Sequence, residues 1–244
     1  MTVFSAYISR HSGREFRVMD REKLKITVSL LIFTVSVFIL ICLIDLISRF
    51  LLSSLPLNGR LLIKLGCYWL LIPVIGFSMR RHNEKLTDIG FESINPAAQI
   101  VTGLVIALVM CFVLIAVPAM YTGRTSGTGP EKISLLSSIL GFISSVSGTA
   151  LVNETVWRGI VYKRLNEQLH SVPLTIVITS ILSGLLHYFS GSILSVVTSA
   201  IIAAFLCFCI IRIRHCTLLS IIIAHGIYEF FASNRNLTIR LFIR

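Results

Sequence analysis

Acidic residues are scarce in this chain: 11 Asp and Glu stand among 244 residues, against 22 Lys and Arg. With 14% charged residues in total, the sequence cannot give a water-soluble domain its usual charged surface. Proline is rare as well, 6 in all, so long stretches run without a helix breaker. The six cysteines, Cys42, Cys67, Cys111, Cys207, Cys209 and Cys216, lie in or beside apolar runs with no CxxC spacing. That pattern suggests neither a disulfide framework nor a cysteine-zinc cluster, and implies buried free thiols. Internal repeats and broken-helix signals are absent too, which argues against a transporter of inverted repeats.

What fills the chain instead is hydrocarbon: 55% hydrophobic residues and a mean hydropathy of +0.87. Unbroken apolar runs recur at about 26–47, 61–79, 98–120, 133–165, 172–189, 191–211 and 217–232. Each is long enough to cross a bilayer as a helix, and none alternates as a barrel strand would. The expected fold class is all-α: a polytopic transmembrane helix bundle of about seven spans. The fourth run is unusual, because its apolar part ends near Val152 while NETVWRGIVYKRL holds no proline, so the helix is expected to continue toward Leu165. The first run follows a basic segment without a small-residue cleavage signature and reads as a retained anchor. The chain then divides into a basic cytoplasmic segment 1–25, N-terminal helices 26–132, a core 133–232 and a short basic tail 233–244. The Gly/Ser/Thr-rich stretch 121–130 reads as a flexible outer loop.

The net charge of +11 reads as membrane topology rather than nucleic-acid binding, because the basic residues collect between spans. With the N-terminus inside, fourteen Lys and Arg lie in cytoplasmic segments, Arg158 counted among them, and seven outside. The expected location is a bacterial cytoplasmic membrane, N-terminus in, with the lipid bilayer as one partner and no nucleic acid.

Against this apolar background, Glu154, His187, His225 and Glu229 sit inside spans. Charge and imidazole are costly in hydrocarbon, so such residues usually face a polar cavity. Glu154 with Arg158, and His225 with Glu229, are spaced four apart and share a helix face. Counted along helices from the inner ends of their spans, Glu154, His187 and His225 lie at roughly 16, 22 and 12 Å. In a hydrocarbon layer of about 30 Å they can meet. A carboxylate beside imidazoles can take a proton from water and later protonate a leaving amine. Alternatively, His187, His225 and Glu154 could hold a divalent metal such as zinc that acidifies bound water. Either arrangement suits peptide hydrolysis, and water access implies a cavity open to the cytoplasm. Asp45 and Lys64 lie toward the ends of their spans and carry no assigned function, Lys64 reaching water by snorkelling. Gly141, Gly148 and Gly184 suit close helix packing, and Trp157 suits either the core or the wall of the site.

Three motifs in order resemble the CPBP family of CAAX proteases and bacteriocin-processing intramembrane enzymes, also called Abi. That family carries EExxxR, then FxxxH, then HxxxN or HxxxD. Here the first reads Asn153-Glu154-Thr155-Val156-Trp157-Arg158, the second Ser183-Gly184-Leu185-Leu186-His187, and the third His225-Gly226-Ile227-Tyr228-Glu229. The resemblance covers about residues 135–232 and implies a four-helix core with Glu154, His187, His225 and Glu229 as catalytic residues. Asn153, Arg158 and Ser183 would support them. The implied activity is intramembrane endopeptidase cleavage of a membrane-associated protein or peptide near the cytoplasmic side. Neither GxSG nor GxGD occurs, which excludes the serine and aspartyl intramembrane protease patterns. The chain departs from the family at Asn153, where the first glutamate stands; at Ser183, where an aromatic stands; and at Glu229, where Asn or Asp stands. An amide cannot serve as a base, so the base role passes to Glu154 or Glu229. The alternative is a non-catalytic protein of the same fold, acting in bacteriocin self-immunity or as a membrane scaffold.

Overall fold

The computed structural model describes residues 3–50, 52–122, 134–188 and 193–234, with side chains left out at 3–23, 49, 121 and 122. Among these residues the chain is all-helical, and seven helices follow the seven apolar runs: α1 (Val3–Phe50), α2 (Leu57–Arg81), α3 (Pro96–Met120), α4 (Leu135–Leu169), α5 (Val172–Leu185), α6 (Ile193–Arg212) and α7 (Leu218–Ser233). Five of them, counting Leu24–Ser48 within α1, are long and apolar enough to cross a membrane, whereas α5 and α7 are shorter. The chain is a multi-pass membrane protein. Residues 123–130 of the Gly/Ser/Thr-rich stretch and 235–244 of the basic tail lie outside the described residues.

Each helix turns an apolar stripe outward, as lipid requires. On α3, Val101, Val105, Leu108 and Phe112 recur at helical spacing and are exposed, while Gln99, Gly103, Ile106 and Met110 are buried on the other side. One buried cluster joins Val37 and Ile41 of α1 to Val156, Trp157 and Ile160 of α4. Trp157 is fully buried there, its ring edge-on to Phe38 at 6.5 Å, and it belongs to the core rather than to the wall of a site. A second cluster joins α3, α6 and α7 through Ile106, Leu206, Leu218 and Ile221. All six cysteines are free thiols, four buried and Cys42 and Cys67 half-buried.

Three glycines set the close approaches, and the tightest is Gly103 of α3, where a methyl would lie 2.6 Å from the Ser220 carbonyl on α7. A methyl at Gly226 of α7 would lie 2.7 Å from the Val146 backbone on α4, and one at Gly184 of α5 would lie 2.7 Å from the Val196 carbonyl on α6. Gly141, by contrast, has only ordinary contact with Phe230.

α4 continues through the polar stretch, as its missing proline implies, and reaches Leu169. It is not uniform. Wide π-helical turns at Ser144–Ala150 and Thr155–Val161 bracket one α-helical turn, Leu151–Glu154. Such insertions are frequent at functional sites. α5 ends earlier than its apolar run suggests, so His187 lies in the turn after the helix, its backbone N–H donating to the Gly184 carbonyl at 2.9 Å.

Chain direction alternates along the bundle, and contacts between helix ends show it. At one end Ser29 meets His82 at 3.2 Å, Arg164 meets Glu84, and the Leu218 amide donates to the Gly90 carbonyl at 3.0 Å. At the other end Ser48, Lys64, Thr149 and His187 border one cavity.

Candidate active site

The π-helical turns of α4 bring Asn153 and Glu154 to opposite environments. Adjacent residues of a helix point about 100° apart, and here that separates a cavity from the protein interior. Glu154 is 0% exposed. Its Oε1 lies 2.5 Å from Nδ1 of His225 on α7, and its Oε2 lies 3.2 Å from Nε of Arg158. Nη1 of Arg158 donates to Oγ of Ser183 on α5 at 3.3 Å. One buried carboxylate thus ties α7 to α4, and its arginine ties α4 to α5. A carboxylate accepts only, so it holds the proton on His225 Nδ1 and leaves Nε2 as the ring nitrogen for other work.

Asn153, 6% exposed, faces the cavity instead. That cavity, about 360 Å³, is bordered by Asn153, Arg158, Ser183, His187, His225 and Glu229, with Ser195, Thr198 and Ser199 of α6 on its far wall. A second cavity of about 330 Å³ lies beside it and shares Thr149, Asn153, His187 and Glu229. Oδ1 of Asn153 and Oε2 of Glu229 are buried without a hydrogen-bond partner. Buried polar atoms are normally satisfied, so two orphans at one cavity mark a place for a ligand or water. Six of the seven residues singled out from the sequence border the larger cavity; Glu154 does not, standing behind its wall.

The second cavity also holds two residues to which the sequence reading gave no function. Asp45 of α1 and Lys64 of α2 pair at 3.5 Å beside Tyr68 and face Glu229 and His187. Their opposite charges, each alone in an apolar run, were the available signal.

The cavity has a direction. Its floor is Asn153 and Arg158, both 6% exposed; its rim is Leu194, 71% exposed at the start of α6, and the exposed Ser233 at the end of α7. That rim lies at the opposite end of the bundle from Arg80, Arg164 and Arg212. The expectations of an inside N-terminus and of a cavity open to the cytoplasm therefore cannot both hold. Arg158, counted above with a cytoplasmic connection, belongs to the buried site.

Among the described residues, no three His, Cys, Asp or Glu side chains come together as a metal site. Glu154 is engaged by His225 and Arg158, so Glu154, His187 and His225 as placed do not fit zinc or another divalent ion.

Residues 135–231 match the family described as type II CAAX prenyl endopeptidase Rce1-like, which bears out the CPBP resemblance carried by the three motifs. No curated protein and no solved structure matches the chain.

Proposed function

With residues 135–231 similar to a family of membrane endopeptidases, we propose that this protein is an intramembrane endopeptidase that hydrolyses a peptide bond in a membrane-associated protein or peptide. One observation carries the reading: Asn153 and Glu229 border the same two cavities, each with an unpaired buried oxygen. The family pattern puts a carboxylate at the first position and Asn or Asp at the last. Against the Asn form the two are exchanged here, and the cavity keeps one of each.

The chemistry follows from that exchange. Among the described residues Glu229 is the one carboxylate on the wall of the larger cavity, and it accepts the proton of the attacking water. His225 Nε2, fixed because Glu154 holds Nδ1, accepts a hydrogen bond from the water's remaining O–H and orients it. Hydroxide adds to the carbonyl carbon, the amide of Asn153 donates to the oxyanion, and Glu229 returns its proton to the leaving amine as the C–N bond breaks. Arg158 pairs with Glu154 behind the wall. His187 borders both cavities and stands where a peptide would pass between them. The setting is a bacterial cytoplasmic membrane with the N-terminus inside.

The test is purified protein in lipid vesicles with a labelled membrane peptide. Cleavage is expected, and Glu229→Gln is expected to lower the rate by a factor of about 10²–10⁴ with helicity unchanged. Equal rates in both proteins remove Glu229 from the mechanism. A second reading, a non-catalytic self-immunity factor or scaffold, is favoured by Asn153 itself, since an amide stands at the family's first glutamate. Wild type that cleaves no peptide yet protects cells from a bacteriocin selects that reading.

A further inference from the structure

The mouth of the cavity and the basic residues lie at opposite ends of the bundle, and that separation assigns a compartment. After Arg158 is moved into the site, thirteen Lys and Arg flank the spans at one end: six at positions 10–25, then Arg80, Arg81, Lys85, Lys163, Arg164, Arg212 and Arg214. Seven fall in the segments that leave the spans at the mouth end. Basic flanks stay in the cytoplasm during insertion, so the end with thirteen is the cytoplasmic one.

The cavity is closed toward that end. Its floor at Arg158 and Asn153 is buried, and beyond it Val156, Trp157 and Ile160 form solid core, each 0% exposed. Further still, Arg164 of α4 is locked to Glu84 at 2.7 Å. Toward the other end the wall formed by the described residues opens. α5 stops at Leu185, His187 lies in the turn beyond it, and Leu194 and Ser233 stand exposed at the rim. α5 is 14 residues long, so at about 1.5 Å per residue it spans roughly 21 Å. A hydrocarbon layer of about 30 Å leaves room for water to enter above its end. Ser195, Thr198 and Ser199 give that entrance a polar, uncharged wall.

We propose that the cavity takes its ligand from the non-cytoplasmic side of the membrane. Its substrate class is then a peptide segment that has already been translocated: an exported peptide, or the outer part of a membrane-anchored chain. The orientation follows from the fold whether or not the protein cleaves; the substrate class rests on the protease reading.

Three single-cysteine additions test it with a membrane-impermeant maleimide: Ser199→Cys on the cavity wall, Ser233→Cys on its rim, and Thr87→Cys in the connection at the basic end. The parent chain, whose thiols are buried or half-buried, sets the background. Ser199→Cys and Ser233→Cys are expected to label several-fold above background in intact cells. Thr87→Cys should label only after permeabilisation, which also shows that the chain is inserted. Labelling of Thr87→Cys in intact cells, or of neither cavity variant from outside, overturns the proposal. Sealed vesicles of known orientation then test the substrate class: added peptide is expected to be cleaved only where the mouth faces the medium. Cleavage only in the opposite orientation overturns it. Correct labelling without cleavage in either orientation sinks the protease reading and the substrate class with it, and leaves the orientation standing.

Discussion

α4 carries two buried glutamate–arginine contacts, and they differ in how completely they are satisfied. Near its end, Arg164 grips Glu84 with two hydrogen bonds, Nε to Oε1 at 3.1 Å and Nη2 to Oε2 at 2.7 Å. The same guanidinium donates to Ser78 Oγ at 3.0 Å and stacks on Phe33 of α1 at 5.4 Å, while Lys163 adds a third bond to Glu84 at 3.2 Å. Ten residues earlier, Glu154 bonds His225 through Oε1 but meets Arg158 through Oε2 only as an ion pair, without a hydrogen bond, and Asn153 and Glu229 keep unpaired oxygens beside two cavities. The first cluster is a latch that joins α1, α2 and α4. The second is a latch with an opening, and leftover hydrogen-bonding capacity around a void is what separates a place for chemistry from a structural tie.

The largest effect is expected from breaking both carboxylates in parallel. Glu84→Ala and Glu154→Ala each leave a buried arginine without its partner, a loss of about 3–5 kcal/mol of stability. Unfolding in detergent should show both. Peptidase activity per folded molecule should fall only for Glu154→Ala, which also releases His225; an equal fall in both would erase the distinction between latch and site.

Next comes the exchange of carboxylate and amide across the cavity. Asn153→Glu and Glu229→Asn are each expected to lower the rate by about 10²–10³, since each alone leaves two carboxylates or two amides. The double variant, with the Glu and Asn of the family pattern restored, should recover most of the activity. A double variant no better than the worse single one would show that the two residues act separately.

A smaller loss is expected where α7 meets α4. Gly226→Ala places a methyl 2.7 Å from the Val146 backbone, and forcing these helices apart should cost about 1–3 kcal/mol and displace the adjacent His225. Unchanged thermal stability would mean that the helices separate there at no cost.

The smallest effect is on pH. Burial by itself would raise the Glu84 carboxyl, but the hydrogen bonds and charges of Arg164 and Lys163 outweigh it and hold it below the ordinary carboxylate range. The latch is therefore fully formed above the unfolded value and weakens as pH falls through the lowered folded one. Acid titration of unfolding should show this loss in wild type and its absence in Glu84→Gln.

Seven apolar helices and their approximate limits were legible in the sequence, because a helix set in lipid must be apolar along its length and the chain has few breakers. The polar positions were legible for the same reason: ionisable residues are conspicuous in hydrocarbon. What each one faces was not. Asn153 and Glu154 are neighbours in sequence, and only the packing of α7 against α4, with the π-helical turns on either side, turns one to the cavity and the other to His225. Asp45 and Lys64 looked like span-end charges until the meeting of α1 and α2 set them against Glu229. The side on which the cavity opens was equally hidden, since it depends on where α5 stops and which helix ends it leaves exposed. Composition and hydropathy act one residue at a time along the chain and so set the class and the spans; a cavity is a relation among helices far apart in sequence, and only tertiary packing decides it.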